Sequence, residues 1–157
     1  MADARSKHLL IVYHSQSGRN ERLAYAAHGA AITAEPELET RLLRAAEAGT
    51  RDIMWCDGLL LFMPENFGAL AGGMKDFFDR SFYPVLAREL IRPYGVFICS
   101  GNDGSNALRQ WQRIAKGYAW RSVTEAIICH GEPKAEAFQQ AEELGAGFAA
   151  GLALGVF

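Results

Sequence analysis

HLLIVYHSQSGRN, residues 8–20, is the stretch on which the fold turns. Its first part, His8 to His14, is almost continuous in bulky apolar residues, so it reads as a central strand covered by helices on both faces. Its second part is a polar, hydroxyl-bearing turn, after which Leu23, Ala26, Ala27, Ala30 and Ala31 recur at helical spacing. A strand that opens through Ser15, Ser17 and Asn20 into a helix offers side-chain donors together with free backbone N–H groups, the chemistry of a phosphate cradle. Several converging hydrogen bonds to a charged oxygen, each worth about 1.5–3 kcal/mol, hold an anion without a lysine. Taken alone, the same serines serve equally well as helix caps.

Outward from this stretch, short β-type runs alternate with helical patterns. A strand over Leu38–Leu43 precedes a helix over Arg44–Cys56, and GLLLFMP, Gly58 to Pro64, forms a second central strand stopped by its proline. Leu70, Met74, Phe77 and Phe78 mark the buried stripe of a helix running to about Arg80. Pro93 opens the strand YGVFICS, which ends in the polar run SGNDGSN, Ser100 to Asn106. Leu108, Trp111, Ala115 and Tyr118 make another helical stripe, a strand follows over Val123–Cys129, and Phe138, Ala141, Gly145, Phe148 and Leu152 line a last helix. Five strands alternating with five helices predict an α/β fold with a mainly parallel sheet.

The bulk properties narrow the function. A chain of 157 residues, half of them apolar, suits one domain over residues 1–157 with a full core. A net charge of −2 gives no basis for attraction to nucleic acid or anionic membranes, which leaves small-molecule chemistry. Cys56, Cys99 and Cys129 lack metal-ligand spacing and lie in apolar runs, so they read as core thiols. The opening MADARSK lacks the apolar region of a secretory leader, and GAGFAAGLALGVF near the end is shorter than the roughly 20 residues of a membrane helix. A cytoplasmic protein is the expectation.

Competing phosphate sites fail on residue type. The first turn has neither the spacing nor the lysine of GxxxxGK[ST], and Gly18 alone does not make GxGxxG. A phospho-receiver needs acidic residues for Mg²⁺ at this strand end, and YHSQS supplies none.

SQSGRN, Ser15 to Asn20, resembles the [ST]-x-[ST]-G-x-[TSN] loop of the flavodoxin and NAD(P)H:quinone/FMN reductase superfamily. CDGLLLFMPENFG, Cys56 to Gly68, resembles the third strand and flavin loop of that superfamily, and the ALAGGMKDFFDR that follows is similar to its next helix. With SGNDG at Ser100–Gly104 and GEP at Gly131–Pro133, the resemblance spans nearly the whole chain. It implies a three-layer flavodoxin-like fold with a five-stranded parallel sheet in the order 2-1-3-4-5 and helices on both faces. It also implies FMN as a non-covalent cofactor. Ser15, Ser17 and Asn20 would bind its phosphate through side chains, with backbone N–H groups from Gln16, Gly18 and Arg19. Pro64, Glu65, Asn66, Phe67 and Gly68 would line one side of the isoalloxazine, and Ser100, Gly101, Asn102 and Asp103 would meet its pyrimidine edge.

Two departures from the superfamily pattern favour a reductase over a carrier. SGNDGSN lacks an aromatic residue to stack on the flavin, and the chain lacks a strong acidic excess for steering towards a redox partner. The expected activity is therefore an NAD(P)H-dependent oxidoreductase in which FMN passes electrons to a quinone, a flavin or another small acceptor. A flavodoxin-type electron carrier is the alternative, and a non-catalytic flavin-binding interaction module, suggested by the anionic Glu65, is a second. The resemblance admits a homodimer. No catalytic residue is assigned, since a flavin can take its proton from water and does not require His14 or His130.

Overall fold

A computed structural model describes residues 5–157, and residues 1–4 of the charged opening segment lie outside it. Seven strands and five helices follow one another as β1 (His8–Tyr13), α1 (Arg19–Ala34), β2 (Glu39–Arg44), α2 (Thr50–Trp55), β3 (Gly58–Asn66), β4 (Ala69–Leu70), α3 (Gly72–Ala87), β5 (Pro93–Ser100), α4 (Ser105–Gly117), β6 (Arg121–Ser122), β7 (Ile127–His130) and α5 (Ala135–Ala153). The sheet runs β2-β1-β3-β5, with β6 and β7 both on the outer side of β5; every pairing is parallel except that of β4 with β3. The α/β architecture and the expected strand order hold once β6 and β7 are counted as one interrupted fifth strand.

Alternation along the strands divides the core in two. Leu10, Val12, Leu59, Leu61, Met63, Val96 and Ile98 meet Ile53 of α2, Phe77 and Phe78 of α3 and Trp111 of α4. Leu9, Ile11, Leu60, Phe62 and Phe97 meet Leu23 and Ala27 of α1 and Leu144 and Phe148 of α5 on the other face. Gly145 lets α1 and α5 come close, because a β-carbon there would run into the backbone carbonyl of Ala27.

Four boundaries differ from the sequence reading, each for a visible reason. β3 continues through Pro64, whose missing N–H faces the side where β1 has already ended at Tyr13 opposite Phe62. The second helix does not begin at Arg44: the Ala45 N–H still donates to Tyr13 O (2.8 Å), and α2 starts only after Gly49. α3 continues through Pro84 to Ala87, with Val85 buried against the core, which works against the roughly 3 kcal/mol that an internal proline costs. The fifth strand is split, since the register on β5 shifts by two residues between Tyr94 and Phe97. Gly95 makes room for this bulge, as any β-carbon there would collide with Thr124 Oγ1.

Among the described residues no helix is long and apolar enough to cross a membrane.

Candidate functional site

The chain leaves β1 for β2 on one side of the sheet and returns through β3 on the other, so the carboxyl ends of β1, β3 and β5 face a crevice at the reversal of strand order. Three loops fill that end of the sheet.

The first is His14–Gly18. Gly18 adopts a left-handed conformation (φ 89°) as the residue before α1, and its N–H donates to Ser15 Oγ (3.0 Å). No side chain caps the sixteen-residue α1, so the first N–H groups of the helix remain aimed into the crevice with the positive end of its dipole. Asn20 is 2% exposed and its Oδ1 has no hydrogen-bond partner. A buried amide end without a partner costs stability unless something else meets it. Arg19 and Arg22 do not point free charges at this cradle, because both bond Glu132, Arg19 through Nε (3.0 Å) and Arg22 through Nη2 (2.5 Å). The Arg22 hydrogen bond above all, with Arg19 beside it, holds the Glu132 carboxyl below its ordinary range. The cradle is thus built from hydroxyls and amides.

The second loop is a tight hairpin. Glu65 pairs with Leu70 and Asn66 with Ala69, and the two residues between, Phe67 (φ 51°) and Gly68 (φ 69°), both have positive φ, the signature of a type I′ turn. Phe67 is fully exposed at the tip. Asn66 Nδ2 donates to Gln16 Oε1 (2.8 Å), which ties the hairpin to the first loop. From α4, Asn106 Nδ2 donates to the Gly68 carbonyl, and Gln110 Oε1 accepts the Leu70 N–H (2.7 Å). The Glu65 side chain turns away from the tip: its carboxylate accepts from Ser100 Oγ (3.3 Å), the Gly104 N–H (3.1 Å) and the Ala107 N–H (3.1 Å), capping α4.

The third loop follows β5. Ser100 is buried, and its hydroxyl oxygen accepts the Asn102 N–H (3.0 Å). Gly101, Asn102 and Asp103 are exposed, and Asp103 accepts a hydrogen bond from the Ser105 hydroxyl. The Gly131 N–H donates to Ser100 O (2.7 Å), and His130 Nδ1 lies 2.6 Å from the Asn102 carbonyl, so the end of β7 braces this loop. His14 is half-buried against Gly73 at the start of α3, where a β-carbon would strike its ring, and burial lowers its pKa.

The structure therefore gathers Ser15–Asn20, Pro64–Gly68 and Ser100–Asp103 at one end of the sheet. Sequence reading missed Asn106 and Gln110, whose four-residue spacing on a helix sets both on the face towards the hairpin, and Glu132, which lies in the quoted GEP segment. The crevice is an open rim. A groove of about 780 Å³ between α3 and α4 begins beside it at Ala69 and is lined by Leu70, Phe82, Tyr83 and Ile114.

A family model described as NADPH-dependent FMN reductase matches residues 9–130. A flavodoxin of Aquifex aeolicus is 34% identical over 71 residues, which are 45% of this chain and 38% of that relative's own length. Among solved structures, a flavodoxin from the domain Archaea superposes with a TM-score of 0.80 at 14% identity, covering 92% of this chain and 98% of that one. The flavodoxin, WrbA-like protein from Agrobacterium tumefaciens gives a TM-score of 0.75 at 22% identity, covering 92% and 96%. These structural likenesses are likenesses of fold.

Proposed function

The chain belongs to the NADPH-dependent FMN reductase family, and from that premise we propose that it binds FMN at the three loops and passes electrons from NAD(P)H to a small acceptor. The observation that carries the reading is the uncapped N-terminus of α1, preceded by left-handed Gly18, whose first N–H groups have no side-chain partner at the carboxyl end of β1. A phosphate fits this cradle. Ser15, Ser17 and Asn20 would donate from side chains and Gln16 and Arg19 from the backbone, while the Gly18 N–H, which donates to Ser15 Oγ (3.0 Å), would share that bond with the phosphate.

FMN, when bound, supplies hydride and electron chemistry that no side chain offers. The chain's own residues bind and orient it. Pro64–Gly68 form one wall, with exposed Phe67 available to a ring face and the Gly68 carbonyl fixed by Asn106. Ser100, Gly101, Asn102 and Asp103 offer polar groups to the ring edge. Glu65 contributes through its backbone, its carboxylate being committed to α4. That commitment weighs against the interaction-module reading, which drew on Glu65 as an anion facing the flavin. We read the chain as one FMN-binding domain of a cytoplasmic enzyme, with a quinone or a flavin as acceptor.

The carrier reading keeps one support, the 71-residue similarity to a flavodoxin. An absorbance spectrum after incubation with FMN and desalting, followed by anaerobic NADPH or NADH, decides between them. Retained flavin bands that bleach with the nicotinamide are expected. Bands that bleach only with dithionite make the protein a carrier, and no retained flavin overturns both readings. Ser17→Ala should weaken FMN binding about tenfold in a fluorescence titration, one charged hydrogen bond being worth at least about 1.4 kcal/mol. Unchanged affinity would remove Ser17 from the cradle.

A further inference from the structure

Cys99 and Cys129 stand directly opposite each other on β5 and β7, and their sulfurs are 3.8 Å apart. The two strands are neighbours through four consecutive register pairs, Phe97 with Ile127 to Ser100 with His130, so the thiols are held together by the ladder itself and not by loop motion. They differ in environment. Cys99 is buried on the α1 and α5 side of the sheet, its thiol donating to the Gly131 carbonyl (3.3 Å), and burial with Cys129 beside it pushes that thiol up to about 12. Cys129 is partly exposed on β7, which pairs only with β5 and so forms an outer edge. Cys56, the third thiol, is buried in the other core layer.

We propose that Cys99 and Cys129 form a redox-active dithiol that is converted to an intramolecular disulfide by exchange with low-molecular-weight disulfides. Residues paired across adjacent strands lie within the span a disulfide bridges, and rotation of two side chains about χ1 closes the remaining gap. Cys129, the accessible member, attacks one sulfur of the small disulfide as its thiolate. A mixed disulfide forms at Cys129 and one small thiolate leaves. Cys99 then gives up its proton and attacks the Cys129 sulfur as the thiolate, the mixed S–S bond breaks, and the departing small thiolate takes up a proton. The protein loses two electrons and two protons, and the small disulfide gains them as two thiols. Burial and the neighbouring Cys129 keep the Cys99 thiol protonated in the reduced protein, so the first attack falls to Cys129, and the 3.8 Å separation then presents the mixed disulfide directly to Cys99. The assignment does not depend on FMN, and the same outcome is expected with or without it.

The test is mass spectrometry of the folded full chain after treatment with oxidised glutathione. The wild type should lose two hydrogens, regain them with dithiothreitol, and show a Cys99–Cys129 linkage in a non-reducing peptide map. Cys99→Ser should instead accumulate a single glutathione adduct on Cys129, and Cys129→Ser should stay unmodified while folded. A stable glutathione adduct on the wild type, a linkage involving Cys56, or no reaction at all overturns the proposal. The wild-type peptide map decides even where a serine variant fails to fold.

Discussion

His14 takes the room that a side chain at residue 73 would need, and its ring is half-buried in that position. Burial lowers its pKa below the ordinary 6.5, and it also lowers that of His28, where donation from the ring to the Thr40 backbone carbonyl partly opposes the shift. A histidine that is harder to protonate when folded favours the unfolded chain in acid. The stability due to both rings is complete above about pH 6.5 and is lost as the pH falls through the region below it. Each ring steepens that decline by no more than about 1.4 kcal/mol per pH unit, and solvent screening at half-exposed rings keeps the slope well under the ceiling. Urea titrations at pH 7.5 and 5.5 should therefore give a lower midpoint in acid, with a smaller difference in His14→Asn. Equal differences in the two proteins would mean that His14 titrates normally in the fold.

The hairpin between β3 and β4 combines strain with exposure at one residue. A bulky aromatic side chain at positive φ is uncommon, and it costs about 1 kcal/mol relative to a residue that tolerates the left-handed region. Phe67→Asn should raise thermal or chemical stability by about 0.5–1 kcal/mol and at the same time weaken FMN retention, since the exposed ring is available to a flavin face. Stability and affinity moving in the same direction would argue against this role. The hairpin also shows what sequence reading reaches at this scale. The segment through Gly68 was legible as a loop after the strand, and Ser15–Asn20 as a polar turn leading into a helix, because such chemistry is local. The two residues of β4 carry no periodicity, and the capping role of the Glu65 carboxylate was out of reach because its three donors come from residues 35 to 42 positions downstream. Proximity in space decides such roles.

At the scale of the molecule, two helical layers clasp one sheet, and the layer of α1 and α5 depends on a single bare backbone position. A methyl group at residue 145 meets the Ala27 carbonyl, which cannot rotate aside as a side chain can. Gly145→Ala should destabilise the fold by about 2 kcal/mol or more in denaturant unfolding, despite the better helix propensity of alanine. A neutral or stabilising effect would show that the two helices can separate without loss. The layer order was legible from alternating strands and helices, since the central strands β1, β3 and β5 are apolar on both faces. The split of the fifth strand was not, because the contact of Thr124 with Gly95 joins residues that sequence periodicity never compares.

That split bears on how the protein behaves in a crowded solution. Sheet edges are templates for intermolecular strand pairing, and aggregation commonly begins there. On one flank β2 exposes the charged side chains of Glu39, Arg41 and Arg44, and on the other the bulge between β6 and β7 leaves no outer strand longer than four residues. Both flanks are blunted by charge or by shortness, which disfavours growth of the sheet by strand addition.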